Sequence, residues 1–328
     1  MMLVARRNKL LTAVVLSLAV CIGAATASLS AQDTAQGWPI AWEPNFDPVP
    51  GSRSTLVLTN IPTYTGMILP FDKVRWATNV GPSGNEQYTT YLVGSPGRGQ
   101  MYLQWRIWPP GNTAMTEAHW HRERRTEVMV FGSGYWMGHG SVVDFEHRRH
   151  SPAGDFFTEQ PGGWHFGWSD PNDPSYNVMF FFGTEPLVDE PKPRDSSESH
   201  VEFGNVASIQ WEPAKGTGPM TSRLLGDASQ ADWYNEFNKW SPGSSIQAHA
   251  HSDDRYGVVV SGTISMSYGN TSDPAQARKM PQGTFFTQPA GIGHFMYVSP
   301  DATEDAVILM IGKGPSRIVP ITPPRATS

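Results

Sequence analysis

The stretch HWHRERRTEVMVFGSG, residues 119–134, decides how this chain is read. Two histidines stand one residue apart, a run of mixed charge follows, and an apolar run then ends in glycines. On a strand, side chains two residues apart share a face, so His119 and His121 point the same way and two imidazoles can chelate one ion. For a single histidine an ordinary hydrogen-bonded role is the better reading. A second copy changes that balance.

His119 and His121 recur as His249 and His251, and at the same offset Arg125 recurs as Arg255 and Gly132 as Gly262. One residue less separates Gly154 from Gly283 and His165 from His294. A turn precedes each histidine pair, WPPG from Trp108 and WSPG from Trp240. Nearly the same phrase precedes each later histidine, GDFFTEQPGGWH and GTFFTQPAGIGH. So many positions kept in register mark an internal duplication. The third histidine of each copy, His165 or His294, would arrive from a later strand and leave coordination positions open.

The rest of the chain fits an all-β protein. Short β-branched and aromatic runs, such as MYLQWRIW, NVMFFFGT and DAVILMIG, are bounded by Gly, Pro, Asn or Asp, and no segment shows a long helical period. ASQADWYNEF, residues 228–237, is the one stretch expected to give a helical turn or two. Lys+Arg number 24 against 30 Asp+Glu, and the net charge of -6 argues against a nucleic-acid partner. Residues 1–31 read as an export signal: Arg6, Arg7 and Lys9, an apolar core, then Ala25-Thr26-Ala27. Cleavage would remove Cys21, leaving a periplasmic or secreted protein with no cysteine and no membrane segment. The expected organisation is a Pro-, Gly- and Asn-rich extension over 38–85, a first barrel over 86–184, a Pro- and charge-rich linker over 185–200 and a second barrel over 201–320. The extension is expected to pack on the first barrel and to have no counterpart in the second half.

The order PG…HxH…G followed by G…PxGxxH resembles the two motifs of the cupin superfamily, and two copies resemble a bicupin. The second copy fits closely, with Pro289, Gly291 and His294 on the family's proline, glycine and histidine; the first has one residue fewer between Pro161 and His165. The resemblance covers roughly residues 90 to 315. It implies two tandem jelly-roll barrels (double-stranded β-helices), each holding a divalent metal by its three histidines: His119, His121 and His165, then His249, His251 and His294. Both copies depart from the family in one place. Where a ligand glutamate commonly stands seven positions before the glycine, this chain has Arg125 and Arg255. Glu127 could substitute after a small register shift, but the matching place in the second copy is Gly257. Asp253 and Asp254 are expected to be solvated. Alternation leaves the arginines' orientation open, facing either the site or surface partners such as Glu123 and Asp253.

Without a carboxylate, three neutral imidazoles leave the ion's charge uncancelled and favour an anionic or bidentate oxygen ligand. An inward arginine adds a fork suited to carboxylate. The leading expectation is an exported bicupin oxidoreductase of dioxygenase type using Fe, Mn or Cu on a small oxygen-rich or carboxylate-bearing substrate, with Arg125, Glu127 and Arg255 handling charge and protons. The alternatives are a redox-neutral lyase, decarboxylase or isomerase, and a non-catalytic small-molecule-binding bicupin. A homo-oligomer is compatible with exposed strand edges. The aromatics Trp105, Trp108, Trp120, Trp136, Trp164, Trp168, Phe285, Phe286 and Phe295 are expected to cluster about the sites, with barrel filling the default role and Trp120, which alternates with the histidines, facing away from the metal.

Overall fold

The computed structural model describes residues 66–80, 86–94, 101–112, 115–184, 201–319 and 321. The expected signal, the linker, His200 and most of the extension lie outside the described residues. Within them the chain forms strands and two 3-10 turns, Phe71–Lys73 and Pro274–Gln276, so the all-β expectation holds. ASQADWYNEF forms a loop and then the strand Trp233–Trp240. Side chains there alternate between faces: Asn235 and Phe237 pack toward one layer, while Tyr234 and Glu236 face another, and this period of two overrides the local helical preference.

Four sheets make two barrels. The first barrel has a seven-stranded sheet centred on Arg124–Phe131 and Asn177–Thr184, facing a four-stranded sheet built from Met115–His119, His165–Ser169, Tyr135–His139 and Arg149–Ser151. The second repeats the plan, with a six-stranded sheet centred on Arg255–Ser261 and Ala306–Lys313, facing a five-stranded sheet that contains Ser245–His251, His294–Tyr297 and Thr263–Tyr268. The landmark glycines Gly132, Gly154, Gly262 and Gly283 all have positive φ, between 71° and 102°, at turns where a side chain would be strained. Their recurrence therefore marks turn geometry rather than chemistry.

The two large sheets bury both faces. On Arg124–Phe131, Thr126, Val128 and Val130 face the layer between the barrels, while Arg125, Glu127 and Met129 face the first barrel's interior. Val258 and Val260 face the same layer from the second barrel, and Val259 faces its own interior. Phe156 meets Phe237 at 5.1 Å between ring centres, Phe182 meets Trp233 at 6.1 Å, and Phe180 stacks on Phe285 at 6.4 Å. Asn235 Nδ2 donates to Thr126 Oγ1 across the same layer at 2.7 Å. Trp105 and Phe285, expected near the sites, belong to this layer and not to a pocket.

The extension does have a counterpart. Its strand Ile68–Leu69 pairs with Phe285–Gln288 of the second barrel, and Val201–Asn205, which follows the linker, pairs with Asp155–Glu159 of the first. Each half thus lends its leading strand to the sheet edge of the other. An unpaired edge leaves backbone donors and acceptors open, and the exchange closes the equivalent edge in both barrels. Thr287, with Met67, and Thr158, with Glu202, make the matching side-chain contacts.

Phe285 has no exposed surface in this shared layer. Phe285→Ala is expected to lower stability by about 3–5 kcal/mol. Because both barrels bury residues against that layer, urea denaturation followed by tryptophan fluorescence and by far-UV circular dichroism should show one coincident transition shifted to lower denaturant.

Candidate metal centres

The structure brings together both sets of histidines that the sequence singled out. His119 ends the strand Met115–His119, His121 lies two residues on, and His165 opens the strand paired beside them, with His165 opposite His119 in the register. His249 and His251 lie on one strand, and His294 stands opposite His249. In each triad the potential ligand atoms lie within 4.8 Å of one another.

The imidazoles are oriented by their own backbone. Nδ1 of His119 and of His249 lies 2.8 Å from the carbonyl oxygen two residues earlier, Glu117 and Gln247, while Nδ1 of His165 and of His294 lies 3.3 Å from Gly163 and Ile292 oxygens. A carbonyl only accepts, so these Nδ1 atoms carry the proton and Nε2 is left as a lone pair. His249 Nε2 and His251 Nε2 are 3.2 Å apart, and His294 Nε2 is buried without a hydrogen-bond partner. Converging lone pairs repel one another unless a cation lies between them, so the donor set fits a divalent ion. Burial, reinforced by the neighbouring histidines, lowers His119 to about 4 and His294 to about 3. Burial and then Arg125 lower His165 to about 3, and burial and then Arg255 lower His251 to about 2. Burial also lowers His121 and His249, so all six rings are neutral at pH 7, the state a metal ligand requires.

Both arginines face inward, which the sequence left open. Arg125 Nη1 lies 2.9 Å from His121 Nε2, Arg125 Nε donates to Glu123 Oε1 at 2.9 Å, and Nη1 approaches Glu127 Oε1 at 3.5 Å. Arg255 Nη1 lies 3.3 Å from His251 Nε2, and Nη2 donates to Ser316 Oγ. One lone pair cannot serve a guanidinium and a metal together, so each arginine would have to turn aside for an ion to be held there. Glu123 and Asp253 are placed to receive it. Glu127 is buried on the same strand face as Arg125 and makes that contact rather than one to a histidine.

Two acids beside the triads lie where the sequence did not place them. Glu159, 1 % exposed, places Oε1 at 3.2 Å from His165 Nε2 and Oε2 at 4.0 Å from His121 Nε2. The signal was present, because the repeat alignment sets Glu159 against Gln288. Burial raises the pKa of both Glu127 and Glu159, and the charge of Glu159 raises Glu127 further. Asp253, expected in solvent, is buried instead: it accepts from Tyr234 Oη at 3.0 Å and from Ser316 Oγ at 2.5 Å, and it pairs with Arg255 Nε at 3.5 Å. It draws the 314–319 segment over the second site, where Ile318 pairs with His251. His139 and His150, on strands, and His147 are exposed.

The interiors differ. Around the first triad lie Arg106, with its guanidinium 4.6 Å from the Phe181 ring centre, Trp108 and Tyr135. The matching places in the second barrel hold Asn238, Met310, Trp240 and Ile264. There the triad, Arg255 and Gln288 open onto a cavity of about 400 Å³ walled by Trp240, Ile246, Met296 and Met310.

No protein-family model matches the sequence, and no curated protein matches it. Solved structures match the fold. A Pseudomonas aeruginosa protein named as glyoxylate-induced aligns with TM-score 0.57 and 13% identity over 83% of this chain and 95% of its own. Ylba from E. coli aligns at 0.54 and 11%, covering 83% and 97%. Salicylate 1,2-dioxygenase from Pseudoaminobacter salicylatoxidans, a point mutant in complex with gentisate, aligns at 0.53 and 12%, covering 80% and 88%. At these identities the likeness is one of fold.

Arg255 and Asp253 are a buried pair, with side chains 17% and 6% exposed. Removing the guanidinium in Arg255→Met leaves the carboxylate with two hydroxyl donors and is expected to cost about 2–3 kcal/mol. A double-mutant cycle with Asp253→Ala, read by urea denaturation, should recover most of that loss.

Proposed function

We propose that this chain, two barrels of the cupin fold in tandem, is an exported metal-dependent oxidoreductase of dioxygenase type acting on a small carboxylate-bearing or oxygen-rich substrate. The observation that carries this reading is the second triad. Three neutral imidazoles with no carboxylate ligand beside them end a 400 Å³ cavity whose inner wall includes Arg255. The volume suits one small molecule. A Fe, Mn or Cu ion held by His249, His251 and His294 would supply open positions for dioxygen and an anionic oxygen ligand, and its uncancelled charge favours such a ligand. The same role falls to His119, His121 and His165 in the first barrel.

Arg255 faces the substrate's carboxylate in this scheme. Its guanidinium is held by Asp253 and Ser316, so it meets an anion already oriented. Trp240, Ile246, Met296 and Met310 take the apolar body of the substrate and exclude water around it. In the first barrel Arg125 and Glu127 are the corresponding charge and proton handlers. Support for dioxygen chemistry also comes from the salicylate 1,2-dioxygenase that shares the fold.

Elemental mass spectrometry on protein purified without chelator should find one redox-active ion for each of the two triads, with one lost in His119→Ala and one in His249→Ala. Dioxygen uptake with a panel of small aromatic and aliphatic carboxylates should be abolished in His249→Ala and should stop without dioxygen. Continued anaerobic turnover would overturn the oxygenase reading in favour of a redox-neutral reaction. Ligand retention without metal or chemical change would leave a binding protein.

A further inference from the structure

Among the described residues, Glu159 is a buried carboxylate with neither oxygen hydrogen-bonded. It ends the strand Asp155–Glu159, opposite Arg125 in the register, and is 1 % exposed. Burying a carboxylate without donors is costly, so such a group takes a proton or a cation. Arg125 directs its donors to His121, Glu123 and Glu127. What Glu159 does face is the set of Nε2 atoms, at 3.2 Å for His165 and 4.0 Å for His121. Acceptors aimed at acceptors at these distances describe a coordination shell.

We propose that Glu159 is a fourth ligand of the first metal centre, so that the first centre is charge-compensated and retains its ion, while the second, with Gln288 in the same place, is the exchangeable centre that meets substrate. The proposal rests on the metal reading above and divides it between the two barrels. Gln288 stands opposite Arg255 by the same register, carries no charge, and donates from Nε2 to Met296 Sδ at 3.0 Å. Asp253, a buried acid near the second triad, is occupied by Tyr234, Ser316 and Arg255. The first centre therefore sets a carboxylate against the ion's double charge, and the second sets three neutral imidazoles against it, with Glu236 on the cavity wall accepting from Asn238 at 3.3 Å. The cavity at the second triad agrees with this division.

The test uses Mn2+ alone as probe on chelator-treated full chain, with free Mn2+ followed by its electron paramagnetic resonance signal. His249→Ala isolates the first centre and His119→Ala the second. In the His249→Ala background, Glu159→Gln should weaken Mn2+ binding by at least about tenfold, and Glu159→Asp should restore part of it. In the His119→Ala background, Gln288→Glu should tighten binding by a similar factor. Circular dichroism and melting of the metal-free variants check that each is folded. Equal Mn2+ affinity of Glu159→Gln and its parent would overturn the proposal while leaving the metal reading standing. Failure of the otherwise unsubstituted chain to bind Mn2+ at either centre would remove both.

Discussion

Every feature of the two sites depends on one packing constraint, the apolar layer shared by the large sheets of the two barrels. Strand residues alternate between faces, so the layer that claims Thr126, Val128 and Val130 also sends Arg125, Glu127 and Met129 into the first barrel. In the second barrel Val258 and Val260 are claimed, and Arg255, Gly257 and Val259 turn inward. A slip of one residue would exchange the two sets, placing an arginine in the aromatic layer and valines against the histidines. Hydrophobic burial between barrels thus fixes the polar inventory of their interiors.

Within that common frame the two interiors have diverged electrostatically. The first gathers Arg106, Arg125, Glu123, Glu127 and Glu159 around its triad, and Glu127 and Glu159 rise in pKa because burial opposes their ionisation. The second keeps Arg255, compensates it with Asp253, holds Asn238, Gly257 and Gln288 where the first has Arg106, Glu127 and Glu159, and carries Glu236 where the first has Gln104. Gly257 has no room for a side chain, since a Cβ there would lie 2.2 Å from the Phe286 ring. The first barrel sets Phe157 opposite Glu127 in the same register, so the phenylalanine is common to both walls and the acid is not. An interior with fewer fixed charges leaves space and an unbalanced field for a ligand to enter.

The duplication, the all-β class and the six histidines were legible because each is written as local spacing: H-x-H on one strand face, a third histidine after a turn, glycines at fixed intervals. Arg125 and Arg255 were found as departures from a family pattern, but their direction was not, because both faces of their strands are apolar and only the partner barrel distinguishes them. Glu159 went unread as a site residue although the repeats set it against Gln288; its significance depends on the register that brings a separate strand beside His165. Asp253 misled for a related reason. A turn aspartate reads as solvated until Tyr234 and the segment around Ser316, distant in sequence, close over it. The opposite error occurred at Trp105 and Phe285, which sequence proximity drew to the sites and the shared layer took.

The exchanged leading strands bear on how the chain is made. The first barrel's sheet cannot gain its edge strand until Val201–Asn205 has been synthesised, so during translation that barrel waits, open-edged, for the start of the next repeat. The second barrel has the reverse situation, since Ile68–Leu69 exists long before the strand it will pair with. Cutting the chain between the repeats would strand each half's edge with the other half. Neither repeat closes its sheet with its own leading strand, so a change at one barrel's edge falls on chain contributed by the other half.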